Sequence, residues 1–174
     1  MSVTIYTVGH SVRPLDEFVG LLQAHGITGL ADVRTVPRSR RHPHFSREAL
    51  ERSLPEAGIA YRHFAALGGL RKPRRDSTNG GWRHQSFRGY ADHMQTPEFQ
   101  AALGDLLAFA ADHTVAVMCA EAKWWECHRR LVADALVARG VTVRHIMTPG
   151  SAPPHELTPF ARVDEEQVTY PSLI

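Results

Sequence analysis

Five short apolar runs separated by stretches of helical periodicity constrain this chain more than any other feature. Ile5 to Val8 reads as a first strand, ended by Gly9. Pro14 then opens a helix with Leu15, Phe18, Val19 and Leu22 at helical spacing, closed by Gly26. Ile27 to Val33 is the second run. Ser46 caps a helix through about Ala57, with Gly58 as its stop. Ile59 to Phe64 is the third strand, and Thr96-Pro97-Glu98 starts a helix buried through Phe99, Leu103, Leu106, Leu107 and Ala110. Thr114 to Met118 is the fourth strand. A helix beginning at Cys127 or His128 and capped by Gly140 leads to the fifth, Val141 to Ile146. Such alternation predicts an α/β fold: a mainly parallel five-stranded sheet with helices on both faces, a Rossmann-like three-layer sandwich.

At 174 residues the chain suits one domain, 1–174, with 147–174 a proline-rich C-terminal arm along the surface. The polar connection from about Ala65 to Gly89 reads as a functional lid. No apolar run approaches a membrane span and no secretory leader is visible, so a cytoplasmic protein with no membrane partner is expected. Two cysteines are too few for a disulfide framework, which fits a reducing compartment.

The net charge of +2 conceals an asymmetry. Arg34 to Arg88 holds thirteen Lys/Arg against four Asp/Glu, a local +9, and the remainder carries −7. Eighteen of the twenty basic residues are arginine, the side chain suited to bidentate contact with phosphate or carboxylate. An anionic partner follows, either a phosphate-bearing small molecule or nucleic acid.

Parallel sheets seat ligands beyond the carboxyl ends of their strands. The residues just past the predicted strands are Gly9-His10-Ser11, Asp32 and Arg34, Leu67-Gly68-Gly69, Cys119-Ala-Glu121 and Met147. Cys119 and Cys127 support several readings. Either thiol near a helix N-terminus is a nucleophile of lowered pKa. The two form a redox pair across the loop. With His128 they are ligands for zinc or iron. Buried, they are small apolar side chains. Glu121 is a general base, or pairs with Arg129 or Arg34 to hold the loop, and the ion pair is the favoured reading because a carboxylate beside arginine is a poor base. Asp32 is expected to fix neighbouring loop N–H groups. Arg34, Arg38 and Ser39 are candidate oxyanion contacts, and His10 a candidate catalytic imidazole. Trp82, Phe87 and Tyr90 among Arg83, His84 and Arg88 suit either an anchored lid or base stacking. Neither a Gly-x-Gly-x-x-Gly nor a Walker-type pattern is present, so no cofactor is named.

Thr7-Val8-Gly9-His10-Ser11, Ala31-Asp32-Val33-Arg34 with Pro37 and Ser39, Gly58-Ile59 with Tyr61 and His63 before Leu67-Gly68-Gly69, and Met118-Cys119-Ala120-Glu121 with Cys127-His128-Arg129 resemble the uncharacterised prokaryotic family catalogued as domain of unknown function 488. The resemblance runs from about Ile5 to Ile146. It implies a compact cytoplasmic α/β domain and supplies no reaction. A looser similarity is to rhodanese-like and low-molecular-weight phosphatase domains, which also set a cysteine between a central strand and a helix. The phosphatase signature needs arginine six residues after the cysteine, where this chain has Trp125, and a rhodanese loop prefers arginine where it has Trp124.

The expectation is an anion-binding active site at the carboxyl edge of the sheet. Its catalytic candidates are Cys119, Glu121 and His10. Its binding candidates are Arg34, Arg38, Ser39, Cys127, His128 and Arg129. A nucleic-acid-binding module using the Arg34–Arg88 surface, and a metal protein with Cys119, Cys127 and His128 as ligands, are the alternatives, so the motifs alone leave enzyme and binding protein both open.

Overall fold

A computed structural model describes residues 3–172. Five strands, β1 (Thr4–Gly9), β2 (Gly29–Asp32), β3 (Ala60–His63), β4 (Val115–Cys119) and β5 (Thr142–His145), form one sheet in the order β3-β2-β4-β1-β5. Every pairing is parallel. The helices are α1 (Leu15–Ala24), α2 (Arg47–Glu56), α3 (Gln85–Met94), α4 (Pro97–Asp112) and α5 (Arg129–Ala138).

Strand alternation divides the core in two. Val8, Leu30, Ala116 and Met118 face α1 and α2, packing on Phe18, Leu22, Leu50 and Leu54. Ile5, Ala31, Val115 and Val117 face α3, α4 and α5, packing on Tyr90, Phe99, Leu106 and Leu131. The chain therefore covers one face while it steps from β1 to β3, then reverses and covers the other on its way to β5. Strand β4, whose exit runs to the second face, lies between β1 and β2, whose exits run to the first. The crevices beside the end of β4 are thus topological switch points, where sheets of this kind hold ligands.

Local sequence sets most element ends. Ser46 Oγ accepts the Ala49 N–H and Thr96 Oγ1 the Phe99 N–H, each cap contributing about 1 kcal/mol. Helices α1 and α2 close on Gly26 and Gly58, both in the left-handed region.

Two expectations need correction. The connection after β3 is no open lid, because α3 begins within it at Gln85 and the loop before α3 is pinned. Asp92, buried in α3, accepts from the Arg74 N–H (2.8 Å), the Ser77 hydroxyl (2.6 Å) and the Asn79 amide (2.7 Å). Trp82 and Tyr90 are buried in this packing and offer no faces for base stacking. Nor is the C-terminal segment an irregular surface arm. It forms a hairpin, β6 (Arg162–Asp164) with β7 (Gln167–Thr169), and buries His155, Thr158, Val168 and Tyr170 against α5. Its prolines hid this, since the burial depends on a partner helix distant in sequence. Among the described residues no helix is long and apolar enough to cross a membrane.

Candidate functional site

Gly9 determines how the β4 end is shaped. A Cβ there would lie 1.9 Å from the Glu121 carbonyl oxygen, so only glycine lets the loop after β4 fold across the end of β1. The loop is held from that side by the His10 N–H on the Cys119 carbonyl (3.0 Å) and the Ser11 N–H on the Ala120 carbonyl (2.9 Å). From beneath, Arg129 at the start of α5 reaches up with Nη2 to the carbonyls of Glu121 (2.6 Å) and Ala122 (3.3 Å).

That arrangement overturns the Glu121 ion pair. Arg129 takes the backbone oxygens of the loop, while the Glu121 carboxylate is exposed and accepts only the Lys123 N–H, at 3.4 Å. The other arginine considered, Arg34, belongs to Asp32. Its Nε and Nη2 donate to the two carboxylate oxygens at 2.9 and 2.7 Å, and Asp32 also accepts the Arg34 N–H and the Tyr61 hydroxyl. Asp32 thus fixes a loop N–H, from its place at the end of β2.

Beneath the loop the two cysteines meet. Their sulfurs are 2.7 Å apart and both are free thiols, far closer than unbonded packing yet beyond the ~2.05 Å of a disulfide. Cys127 sits just ahead of α5, where the Arg129 N–H points at its sulfur (3.5 Å). His128 Nε2–H donates to the Val33 carbonyl at 2.8 Å, and its Nδ1 lies 3.5 Å from Cys127 Sγ, placed to share a proton with that sulfur. The hydrogen bond from Cys119, then His128 and Arg129, hold the Cys127 thiol down to about 4 against the opposing effect of burial. Burial pushes Cys119 well above the ordinary thiol range. Cys119 and Cys127 line a cavity of about 390 Å³ whose walls include Arg34, Arg38, Phe87, Tyr90 and Glu121. Two exposed apolar side chains, Val36 and Leu70, edge it.

The remaining candidates are distributed around this cavity. Arg38 is exposed on its wall. Ser39 and His10 line a second cavity of about 460 Å³ across the Ala120–Ala122 loop, together with Arg40, Arg41 and His42. Ser39 Oγ accepts the His42 N–H and so shapes the loop. His10 is stacked on Phe45, its Nδ1–H donates to the Ser11 carbonyl and its Nε2 faces Arg34 Nη1 at 3.4 Å. Burial, with Arg34 adding, lowers its imidazole to about 4, so it is neutral at physiological pH. For the metal alternative, no group of three or more His, Cys, Asp or Glu side chains placed to hold an ion occurs among the described residues. Two thiolates on one tetrahedral zinc would lie about 3.8 Å apart, given Zn–S bonds of ~2.3 Å.

Several residues of the site were not singled out by sequence. Arg129 Nη1 donates to Thr7 Oγ1 (3.2 Å), and Thr7 donates to His145 Nδ1 (2.6 Å). His145 Nε2–H donates to His155 Nδ1 (2.9 Å), and His155 Nε2–H to Asp134 (2.8 Å). Asp134 also accepts from the Tyr170 hydroxyl and the Thr158 N–H. With its donors running in this one direction every polar hydrogen of the buried chain has an acceptor, and Trp124 covers His145 face to face at 4.1 Å. The only sequence signals were a histidine inside a strand and another among prolines.

A family described as Domain of unknown function DUF488 matches residues 14–136. No curated protein and no solved structure matches the chain.

Proposed function

The chain belongs to the DUF488 family, a domain of unknown function, and we propose that its switch-point cavity is a thiol active site acting on an anionic substrate. Cys127 is the nucleophile in this reading, and Cys119 is its hydrogen-bond donor. His128 Nδ1 is the group that takes the Cys127 proton. Arg38 offers charge to the substrate at the wall.

The observation that carries the reading is Arg129. Its side chain is 1 % exposed, its Nε has no partner, and its other nitrogens contact only a hydroxyl and two carbonyls. No carboxylate among the described residues pairs with it. Buried charges are strongly disfavoured unless compensated. Arg129 acts electrostatically on both thiols, Cys119 at the end of β4 and Cys127 just ahead of α5, and a Cys127 thiolate supplies the missing negative charge. The 2.7 Å separation of the sulfurs also favours a second reading, reversible closure of a dithiol to a disulfide.

Alkylation by iodoacetamide, followed by mass spectrometry across pH, tests both. The expected outcome is one adduct on Cys127 whose rate titrates far below an ordinary thiol, with Cys119 unmodified. Modification of Cys127 no faster than in the unfolded chain would sink the nucleophile. A product lighter by two hydrogens after mild oxidation, restored by dithiothreitol, supports the dithiol reading.

A further inference from the structure

The two peptide groups that follow β4 face the same way, and this departs from a strand. The carbonyls of Cys119 and Ala120 both point toward β1, where His10 and Ser11 donate to them. A trans peptide sets its N–H on the edge opposite its C=O, and no peptide here is cis. The N–H groups of Ala120 and Glu121 therefore both point away from β1. In an extended strand successive N–H groups alternate in direction, whereas two in succession on one side make a concave donor pair suited to an anion.

Neither N–H has an acceptor among the described residues. In a continued ladder Ala120 would donate to the Val33 carbonyl, because Asp32 is in register with Met118. That carbonyl instead accepts from His128 Nε2. Bonds from β1 and from Arg129 clamp the loop on its other sides, so it cannot turn to satisfy the two donors internally. Ala120 and Glu121 line the same cavity as Cys119 and Cys127, and Arg38 stands on the same wall.

We infer that the Ala120 and Glu121 N–H groups, with the Arg38 guanidinium, form a seat for a tetrahedral phosphate-class oxyanion. The inference rests on the thiol reading for its consequence, which is that the substrate carries such a group at or beside the atom that Cys127 attacks. Two adjacent backbone donors and a guanidinium lining one cavity supply donors for three oxygens of a tetrahedral anion, whereas a planar carboxylate engages two. The Glu121 side chain, on the same wall, opposes the anion and sets a ceiling on its affinity.

The test is calorimetric titration with inorganic phosphate at fixed ionic strength, using the Cys127→Ser protein so that thiol reactivity plays no part. Phosphate is expected to bind, and sulfate to compete with it. Arg38→Ala should weaken binding about tenfold, the order expected for one charge-assisted hydrogen bond. Glu121→Gln should strengthen binding several-fold. Ala120→Pro, which deletes one donor, should weaken it as Arg38→Ala does, and if that variant does not fold, the Arg38 and Glu121 substitutions decide. No heat with phosphate, acetate binding as well as phosphate, or indifference to both side-chain substitutions would overturn the seat. Phosphate binding together with an unreactive Cys127 in the unsubstituted protein would leave the seat standing and sink only the thiol reading.

Discussion

Two arginines are buried at the same edge of the sheet, and they are treated in opposite ways. Arg34, 6 % exposed, is gripped by both oxygens of Asp32, which is fully buried. Arg129 is more deeply buried still, and among the described residues its side chain bonds only neutral oxygens. The first is a closed ion pair that shapes the loop beyond β2. The second, in the proposed reading, is a cation whose compensation is left to a thiol. A buried charge with a carboxylate partner builds architecture, and one without it biases the chemistry of its neighbours.

The comparison can be broken first on the Arg34 side. Asp32→Asn leaves the guanidinium buried without its counter-charge and should cost about 3–5 kcal/mol in urea unfolding. A loss under 1 kcal/mol would mean that Arg34 finds another acceptor, and the contrast with Arg129 would vanish.

On the Arg129 side the counter-charge is itself titratable. With Cys127 held near 4 in the fold against 9 for an ordinary thiol, its contribution is fully present above pH 9. It declines as the pH falls and is gone once the pH has passed through about 4. The protein should therefore lose stability on the order of 2 kcal/mol between pH 8 and pH 6. Cys127→Ser should flatten that slope, and a slope unchanged in the variant would remove the thiolate from the account.

The smallest effect sharpens the parallel between the two sites, because each arginine has in its hydrogen-bond network a buried histidine whose imidazole is lowered. His10 faces Arg34, and His145 connects to Arg129 through Thr7. Burial lowers these imidazoles to about 4 and about 3. The unfolded chain thus takes up protons first as the pH drops below 6.5, and stability present above that value is lost toward the folded values. In a Cys127→Ser background each histidine should contribute roughly 1 kcal/mol of loss per pH unit below 6.5. His10→Gln and His145→Gln should each remove one share, read from urea midpoints at pH 6.5 and pH 5.

Much of the site could be read along the chain because its parts follow strand ends. Gly9-His10-Ser11, Asp32 with Arg34, and the segment from Cys119 to Arg129 each occupy the carboxyl end of a strand in a parallel sheet. That rule needs only the alternation of elements. The partner of Arg129 was misjudged for a local reason. A guanidinium takes whichever acceptor lies within reach, and the fold of the loop over Gly9 brings carbonyls to it while the Glu121 carboxylate turns outward. Helix α3 was hidden because its buried face mixes Gly89, Asp92 and His93 with Tyr90 and Met94, which dilutes the apolar period. Gly89 is there for a close approach, since a Cβ would lie 2.0 Å from the Arg71 carbonyl oxygen.

By itself the sequence determined the architecture and the edge of the sheet at which the candidate residues gather, because hydrophobic period and turn residues act over a few positions. It did not determine which groups compensate one another. The chain from Arg129 to Asp134 passes through β1, β5 and the C-terminal segment, and its Thr7–His145 contact joins residues 138 positions apart. Such contacts are set by how layers pack, and only the tertiary structure decided that a buried arginine would meet a hydroxyl and two carbonyls instead of a carboxylate.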